Sequence, residues 1–334
     1  MGLYNIWVTE KCNLKCTYCY ENNKSAVSMS DETVRDMISF ISERYDASDY
    51  NMINFHGGEP MIAFGRIIDI IDTLSGKGLV FHYSLTTNAL LLDEEKLKML
   101  SARDVYISVS IDGDKYAHDM CRKKKDGTGS YDEVISKLPL IKQYFPRFRI
   151  RMTIAAALSD RLYDSVMSVS QAGADVIVAV PDLYDPEWTY EKIDALKYQL
   201  LELDQELNSE GTVFVFYKKP DICNPQVCAG GIEEINISVN GELYPCSFVT
   251  GNRKYIIGDV RSGISGDLLR KFSVFYGRTN PVCEGCGREK ICTSSRCKFI
   301  NAEFTGDFLT PSPILCGFEN MMDSLEHIKL NIMA

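Results

Sequence analysis

The sequence lacks any apolar run approaching the roughly 20 residues of a membrane-spanning helix, which excludes helical membrane anchoring. It lacks a signal peptide: the first apolar stretch, Leu3 to Val8, is short and no cleavage site follows it. It lacks an excess of positive charge. The formal net charge is −10, which excludes nucleic acid and anionic membrane as main partners, despite a local basic run at 122–125. It lacks low-complexity segments. These absences point to the cytoplasm, where a disulfide framework is not supported. Twelve cysteines then need another explanation.

Their spacing supplies one. Cys12, Cys16 and Cys19 fall within eight residues, and Cys283, Cys286, Cys292 and Cys297 within fifteen. Only Cys121 stands alone. Core thiols scatter, whereas short-spaced clusters in a reducing compartment indicate metal sites.

The first two-thirds of the chain alternates strand and helix patterns. Short β-type runs at Leu3–Thr9, Asn51–Phe55, Val80–Thr86, Val105–Ile111, Phe148–Ala155 and Asp175–Val180 are each followed by a segment of helical periodicity. The first helix has Ser30 as its N-cap, with Asp31 and Glu32 in its first turn. Six such units predict a parallel sheet covered by helices, with right-handed crossovers. Six are too few for a closed eight-stranded barrel, so an open partial (β/α)6 barrel is expected over residues 1–217. After Thr212–Phe216 the chain turns rich in Cys, Gly, Pro and Asn. Residues 218–334 form a Cys-rich extension with one clear β-hairpin, Ile235–Val239 and Glu242–Tyr244 around a two-residue Asn240-Gly241 turn.

Cys12-Asn-Leu-Lys-Cys16-Thr-Tyr-Cys19 directly follows the first strand. Ligand sites of parallel α/β folds lie at the carboxyl ends of strands. Three thiolates are one fewer than a [4Fe–4S] cubane normally takes, which leaves one iron open, as catalytic metal sites keep a position free. A structural zinc site would need a fourth ligand, and His56 is the early candidate. CxxxCxxC with Tyr18 before the last cysteine resembles the signature of the radical S-adenosylmethionine (SAM) superfamily. The resemblance implies that the open iron chelates SAM. An electron from the cluster then cleaves the sulfonium, and the 5′-deoxyadenosyl radical abstracts a hydrogen from the substrate.

Later strand ends carry the resemblance further. Gly57-Gly58-Glu59-Pro60 after the second strand resembles the family's GGEP motif, which contacts the SAM amino group; its glycines let the backbone approach a ligand. Asn88 after the third strand and Ser110 and Asp112 at the end of the fourth resemble ribose- and carboxylate-contacting positions. Strand hydroxyls and a strand-end Asp are odd core choices but good ligand donors. Arg151, within the fifth strand, suits either the SAM carboxylate or a structural ion pair. His118 is expected to serve structure.

The remaining eight cysteines suit a pair of zinc knuckles or two further four-cysteine clusters on spacing alone. Cys228-x12-Gly241-x4-Cys246, Cys283-x2-Cys286-x5-Cys292 and a final Cys316 resemble the SPASM-domain pattern. One departure exists: four residues separate Cys292 from Cys297, where the family pattern has three. By resemblance, auxiliary cluster I takes Cys223, Cys228, Cys246 and Cys297, and auxiliary cluster II takes Cys283, Cys286, Cys292 and Cys316. Three [4Fe–4S] clusters are thus expected, with SAM as cosubstrate.

SPASM enzymes mostly modify peptides or proteins. The resemblance implies a maturase of a ribosomally made peptide that installs a thioether or carbon–carbon crosslink or epimerises a residue. A second reading is an anaerobic sulfatase-maturing enzyme that forms formylglycine from Cys or Ser. That family carries an Asp directly after the cysteine matched by Cys246, and here Ser247 stands there; Tyr244, Asp182 or Asp185 are candidates to replace the base. A third is a non-catalytic iron–sulfur scaffold or electron carrier. The reductant implied by resemblance is a flavodoxin or ferredoxin. Because the first strand begins near residue 3, a precursor's leader is expected to be read by a separate protein or the barrel surface.

Overall fold

The computed structural model describes residues 2–19, 26–210, 212–217, 227–289 and 291–333. Seven strands, β1 (Gly2–Thr9), β2 (Asn51–Gly57), β3 (His82–Thr87), β4 (Val105–Ser110), β5 (Arg149–Ile154), β6 (Val176–Pro181) and β7 (Val213–Phe216), pair in sequence order and in parallel. The crossovers carry helices α1 (Asp31–Glu43), α2 (Phe64–Gly76), α3 (Glu94–Ser101), α4 (Lys115–Cys121), α5 (Tyr131–Tyr144), α6 (Leu162–Gln171) and α7 (Tyr190–Glu210). This is the α/β partial barrel expected from six strand–helix units, with β7 as a seventh strand.

Local chemistry explains the helix starts. Ser30 Oγ accepts from Thr33 N at 3.0 Å, and Asp93 and Asp114 cap α3 and α4 in the same way. Tyr4, Ile6 and Val8 of β1 join one apolar cluster with Met37 and Ile41 of α1 and Ile67 of α2. Burying such side chains drives the helices onto the sheet.

The alternate residues of the strands form a polar face. Asn5 Nδ2 donates to Asn236 Oδ1 and Glu234 Oε1, both at 2.9 Å; Asn54 Nδ2 donates to Asn5 Oδ1 at 2.9 Å; Ser84 Oγ donates to Asn54. The row continues past β1 because β8 (Glu234–Ile237) adds in parallel at its outer edge. Strands β9 (Glu242–Tyr244), β10 (Gly258–Asp259) and β11 (Gly263–Ile264) extend the sheet antiparallel, to eleven strands. The C-terminal region therefore shares a sheet with the barrel.

The β8–β9 hairpin differs from expectation in its turn. Ile237 pairs with Leu243, and Ser238 N donates to Glu242 O at 3.0 Å, which leaves a three-residue loop, 239–241. Gly241 closes it at φ +86°, the left-handed residue that such a loop requires. A Cβ there would lie 2.7 Å from Val260 Cγ2. Three short helices, α8 (Gly266–Ser273), α9 (Thr293–Arg296) and α10 (Lys298–Thr305), and the long α11 (Pro313–Met333), which packs on α7, follow among the described residues.

Candidate active site

The cysteine loop leaves the carboxyl end of β1 and is gripped from both sides. On one side, Gly58 N donates to Thr9 O at 2.9 Å and Glu59 N to Lys11 O at 2.8 Å. On the other, Lys15 N donates to Lys123 O at 2.7 Å and Thr17 N to Cys121 O at 3.0 Å. Buried Leu14 anchors the middle, and its N–H reaches Cys12 Sγ at 3.4 Å. Cys12, Cys16 and Cys19 are half-buried and not in disulfides. Burial pushes the Cys16 thiol up to about 12; Arg122 opposes this, while Asp112, Cys12 and Cys19 add to it. Cys12 and Cys19 thus lie near enough to act on Cys16, whose surroundings disfavour a free thiolate. That suits a cationic group able to hold them ionised.

The two glycines earn their place through this loop. A Cβ on Gly57 would lie 2.2 Å from Thr9 O, and Gly57 has φ +144°. A Cβ on Gly58 would lie 2.3 Å from Lys11 O and 2.6 Å from Glu10 O. The close approach expected of them is made to the cysteine loop's own backbone. Glu59, 1% exposed, then ties three elements together. Its carboxylate accepts from Thr87 Oγ1 (2.6 Å), Asn88 N (2.8 Å) and Met61 N (3.1 Å). Burial raises its pKa against these bonds. Asn88 in turn donates to Asn13 Oδ1 at 2.8 Å, inside the cysteine loop.

A second buried carboxylate organises the other side. Asp112 Oδ2 accepts from Tyr18 OH (2.5 Å) and Arg122 Nε (2.8 Å), and Oδ1 accepts from Thr153 N (2.9 Å). The Arg122 guanidinium also lies 5.4 Å from the centre of the Tyr18 ring. Ser110 and Arg151 are register partners on β4 and β5 beside this group. His118 supports it from behind. Its Nδ1 accepts from Asp112 N (3.4 Å) and its Nε2 donates to Ser130 Oγ (2.9 Å), which itself donates to Arg122 O (2.8 Å). That fixes the neutral Nε2–H tautomer, and burial lowers its pKa to about 4.

A cavity of about 960 Å³ opens above the strand ends. Tyr18 and Cys19 line it from the cysteine loop, Asp182, Tyr184 and Asp185 from the end of β6, and residues 248–252 from the C-terminal region. Of the three candidate bases, Asp182 and Asp185 line the cavity. Tyr244 is fully buried and donates to Glu242 Oε2 at 2.8 Å. Burial raises the Asp182 pKa to about 6. Asp185 is occupied by the N–H groups of Ala156 and Glu187. Cys121, fully buried, packs with Ala117, Ala155 and Leu158. Trp7, also on the cavity wall, escaped notice in the sequence; its alternation with Asn5 and Thr9 is the signal that places it on the polar face.

The electrostatic influences among the C-terminal cysteines fall into two sets. Cys246 and Cys297 are pushed up chiefly by burial, and each is also affected by Cys228. Cys316 is raised by burial and by Cys283 and Cys286, and Cys292 by burial and, among other groups, by Cys316. Cys223 lies outside the described residues. Among the described residues, no three His, Cys, Asp or Glu side chains close on a single metal ion. Thiolates that bind different irons of one cubane need not share a centre. Beside Cys292, the buried hydroxyls of Thr293, Ser294 and Ser295 have no partner among the described residues. Such donors suit a sulfide-bearing group.

Residues 6–160 match the Radical SAM superfamily and form a radical SAM domain. A cysteine-type anaerobic sulfatase-maturating enzyme of Clostridium perfringens (strain 13 / Type A) is 32% identical over 156 residues, 43% of this chain and 42% of that protein. The chain thus aligns with only about half, or less, of the first curated relatives. Among solved structures, native anSMEcpe with bound AdoMet superposes with a TM-score of 0.80 at 20% identity, over 99% of this chain and 100% of that one. SuiB of Streptococcus suis bound to precursor peptide SuiA gives 0.70 at 15% identity, over 94% and 75%. At these identities the likeness is one of fold.

Proposed function

We propose that the chain is a radical SAM maturase with a SPASM domain, acting on a ribosomally made peptide in the cytoplasm. The observation that carries this reading is the cavity. It joins the three-cysteine loop to residues of the C-terminal region and has the size of a ligand site. The native fold is also that of anSMEcpe and SuiB, the latter solved with a precursor peptide.

In this reading Cys12, Cys16 and Cys19 hold the SAM-binding cluster within residues 1–217, and residues 218–334 hold the auxiliary clusters on the cysteines assigned above. The bound cluster and SAM supply a 5′-deoxyadenosyl radical for hydrogen abstraction. Tyr18, Gly57, Gly58, Glu59, Asn88, Ser110, Asp112 and Arg151 form the SAM site. Glu59 and Asp112 each already accept three bonds from protein donors, so both also fix the loop and strand ends of that site. A flavodoxin or ferredoxin supplies electrons, and a separate protein or the barrel surface reads any leader. The reaction is a thioether or carbon–carbon crosslink or an epimerisation.

Formylglycine formation remains the second reading, because Asp182 offers the cavity a carboxylate with a raised pKa where Ser247 lacks one. Mass spectrometry of the co-expressed peptide separates the outcomes. Loss of two hydrogens indicates crosslinking, and an unchanged mass with altered stereochemistry indicates epimerisation. The decisive test of the radical SAM reading is Cys16→Ala. One cluster's iron and all 5′-deoxyadenosine release should disappear; retained cleavage of SAM under anaerobic reduction would refute it.

A further inference from the structure

Lys298 has an environment that the site described above does not explain. It is 0% exposed and is the first residue of α10. Its ammonium donates to Arg278 O and Asn280 Oδ1, both at 2.7 Å, and both acceptors are neutral. Among the described residues no carboxylate forms an ion pair with it. Two further features oppose a cation there. Burial is costly for an unpaired charge. The amino end of a helix carries partial positive charge. Burial lowers the pKa of Lys298, and Cys283, Cys228 and Cys297, with Asp307, work against that lowering. Of the carboxylates nearest these cysteines, Glu234 is engaged with Asn5 and Asn236, and Glu319 pairs with Arg288 through Oε2 while its buried Oε1 has no partner among the described residues.

We propose that Lys298 is an electrostatic positioning residue shared by the two auxiliary clusters: it directly follows Cys297 of one, and its ammonium is held by Asn280, whose carbonyl accepts from Cys283 N of the other at 2.8 Å. This rests on the proposed cysteine assignment. A [4Fe–4S] cluster with four thiolates is a net anion, and it gains a further negative charge when it takes up an electron. A buried cation near both sets stabilises each reduced state, since net charge and surroundings set cluster potentials. Each cluster takes one electron, given up by the substrate radical in turnover or by the added reductant in a titration, and no bond to the lysine is made or broken. The lysine thereby biases both clusters toward accepting electrons, as an oxidative maturation requires.

The test is a potentiometric titration of the full-length chain, loaded with iron and sulfide and followed by electron paramagnetic resonance. The first cluster's signal is identified by its change on adding SAM. In Lys298→Gln both auxiliary midpoints should fall by about tenfold in the reduction equilibrium, or about 59 mV for one electron. The SAM-responsive cluster should keep its midpoint, and Lys298→Arg should restore the auxiliary values. If Lys298→Gln loses auxiliary iron while Lys298→Arg retains it, the charge is again what matters. Unchanged auxiliary midpoints, an equal fall in Lys298→Arg, or loss of iron from both variants would overturn the proposal. Wild-type protein holding only one cluster's iron would sink the cluster assignment itself.

Discussion

The two cysteine-bearing regions are built differently. The first loop is clamped by regular structure. Backbone bonds from the end of β2 and from residues 121–123 hold it, and the buried carboxylates Glu59 and Asp112 brace it with every oxygen used. The second region is built mostly of strands of two to four residues and of short helices, apart from α11. Among the described residues, buried hydroxyls lie unpartnered beside Cys292, and Lys298 is a buried cation with no carboxylate paired to it. The protein itself organises the first site. On the proposed assignment the second would draw its order from what it binds, as metal binding becomes folding free energy wherever no preformed site exists.

Removing the metal should separate the two regions most strongly. Apo chain prepared with a chelator should be cut rapidly by protease between residues 227 and 316, while the barrel resists. Limited proteolysis with mass mapping reads this, and equal resistance of both regions would erase the contrast. The next effect belongs to the barrel. Asp112→Ala leaves Arg122 buried without its partner, and breaking a buried pair in this way costs about 3–5 kcal/mol. Urea unfolding of the apo chain should show that loss. A cost below about 1 kcal/mol would mean that Asp112 does not brace the loop.

The contrast was only partly legible in the sequence. Period and capping residues mark the barrel well: helix α5 spans Tyr131–Tyr144 as its apolar spacing indicates, and Ser30 caps α1. Cysteine spacing separates the clusters because it is local. What escaped is non-local. No local pattern says that β8 pairs with β1 across some 230 positions, which a shared Asn5–Asn236 bond reveals. The glycines after β2 announced a close approach, but only the fold shows that the partner is backbone at 9–11. Asp112 stood out as a ligand donor, whereas its engagement by Arg122, Tyr18 and Thr153 needed two strands, a helix end and the cysteine loop to converge. The short helix α4, with few apolar residues, gave no periodic signal at all.

Acid offers the finest probe of how tightly the barrel side is held. His118 is fully buried and neutral, and its pKa falls from 6.5 to about 4 because burial disfavours the imidazolium. Between these values the unfolded chain binds a proton that the folded chain refuses, so stability falls as pH drops through the window. At pH 7 neither state is charged and the effect vanishes. By about pH 4.5 the loss should reach about 2–3 kcal/mol. Other groups titrate there too, so the measurement is a difference: apo wild type against His118→Gln, unfolded in urea at both pH values. The variant should be less stable at pH 7, having lost the bonds to Asp112 N and Ser130 Oγ, yet should lose less on acidification. Parallel losses in the two proteins would mean that the imidazole accepts its proton inside the fold. The bracing behind Asp112 would then be as yielding as the C-terminal turns.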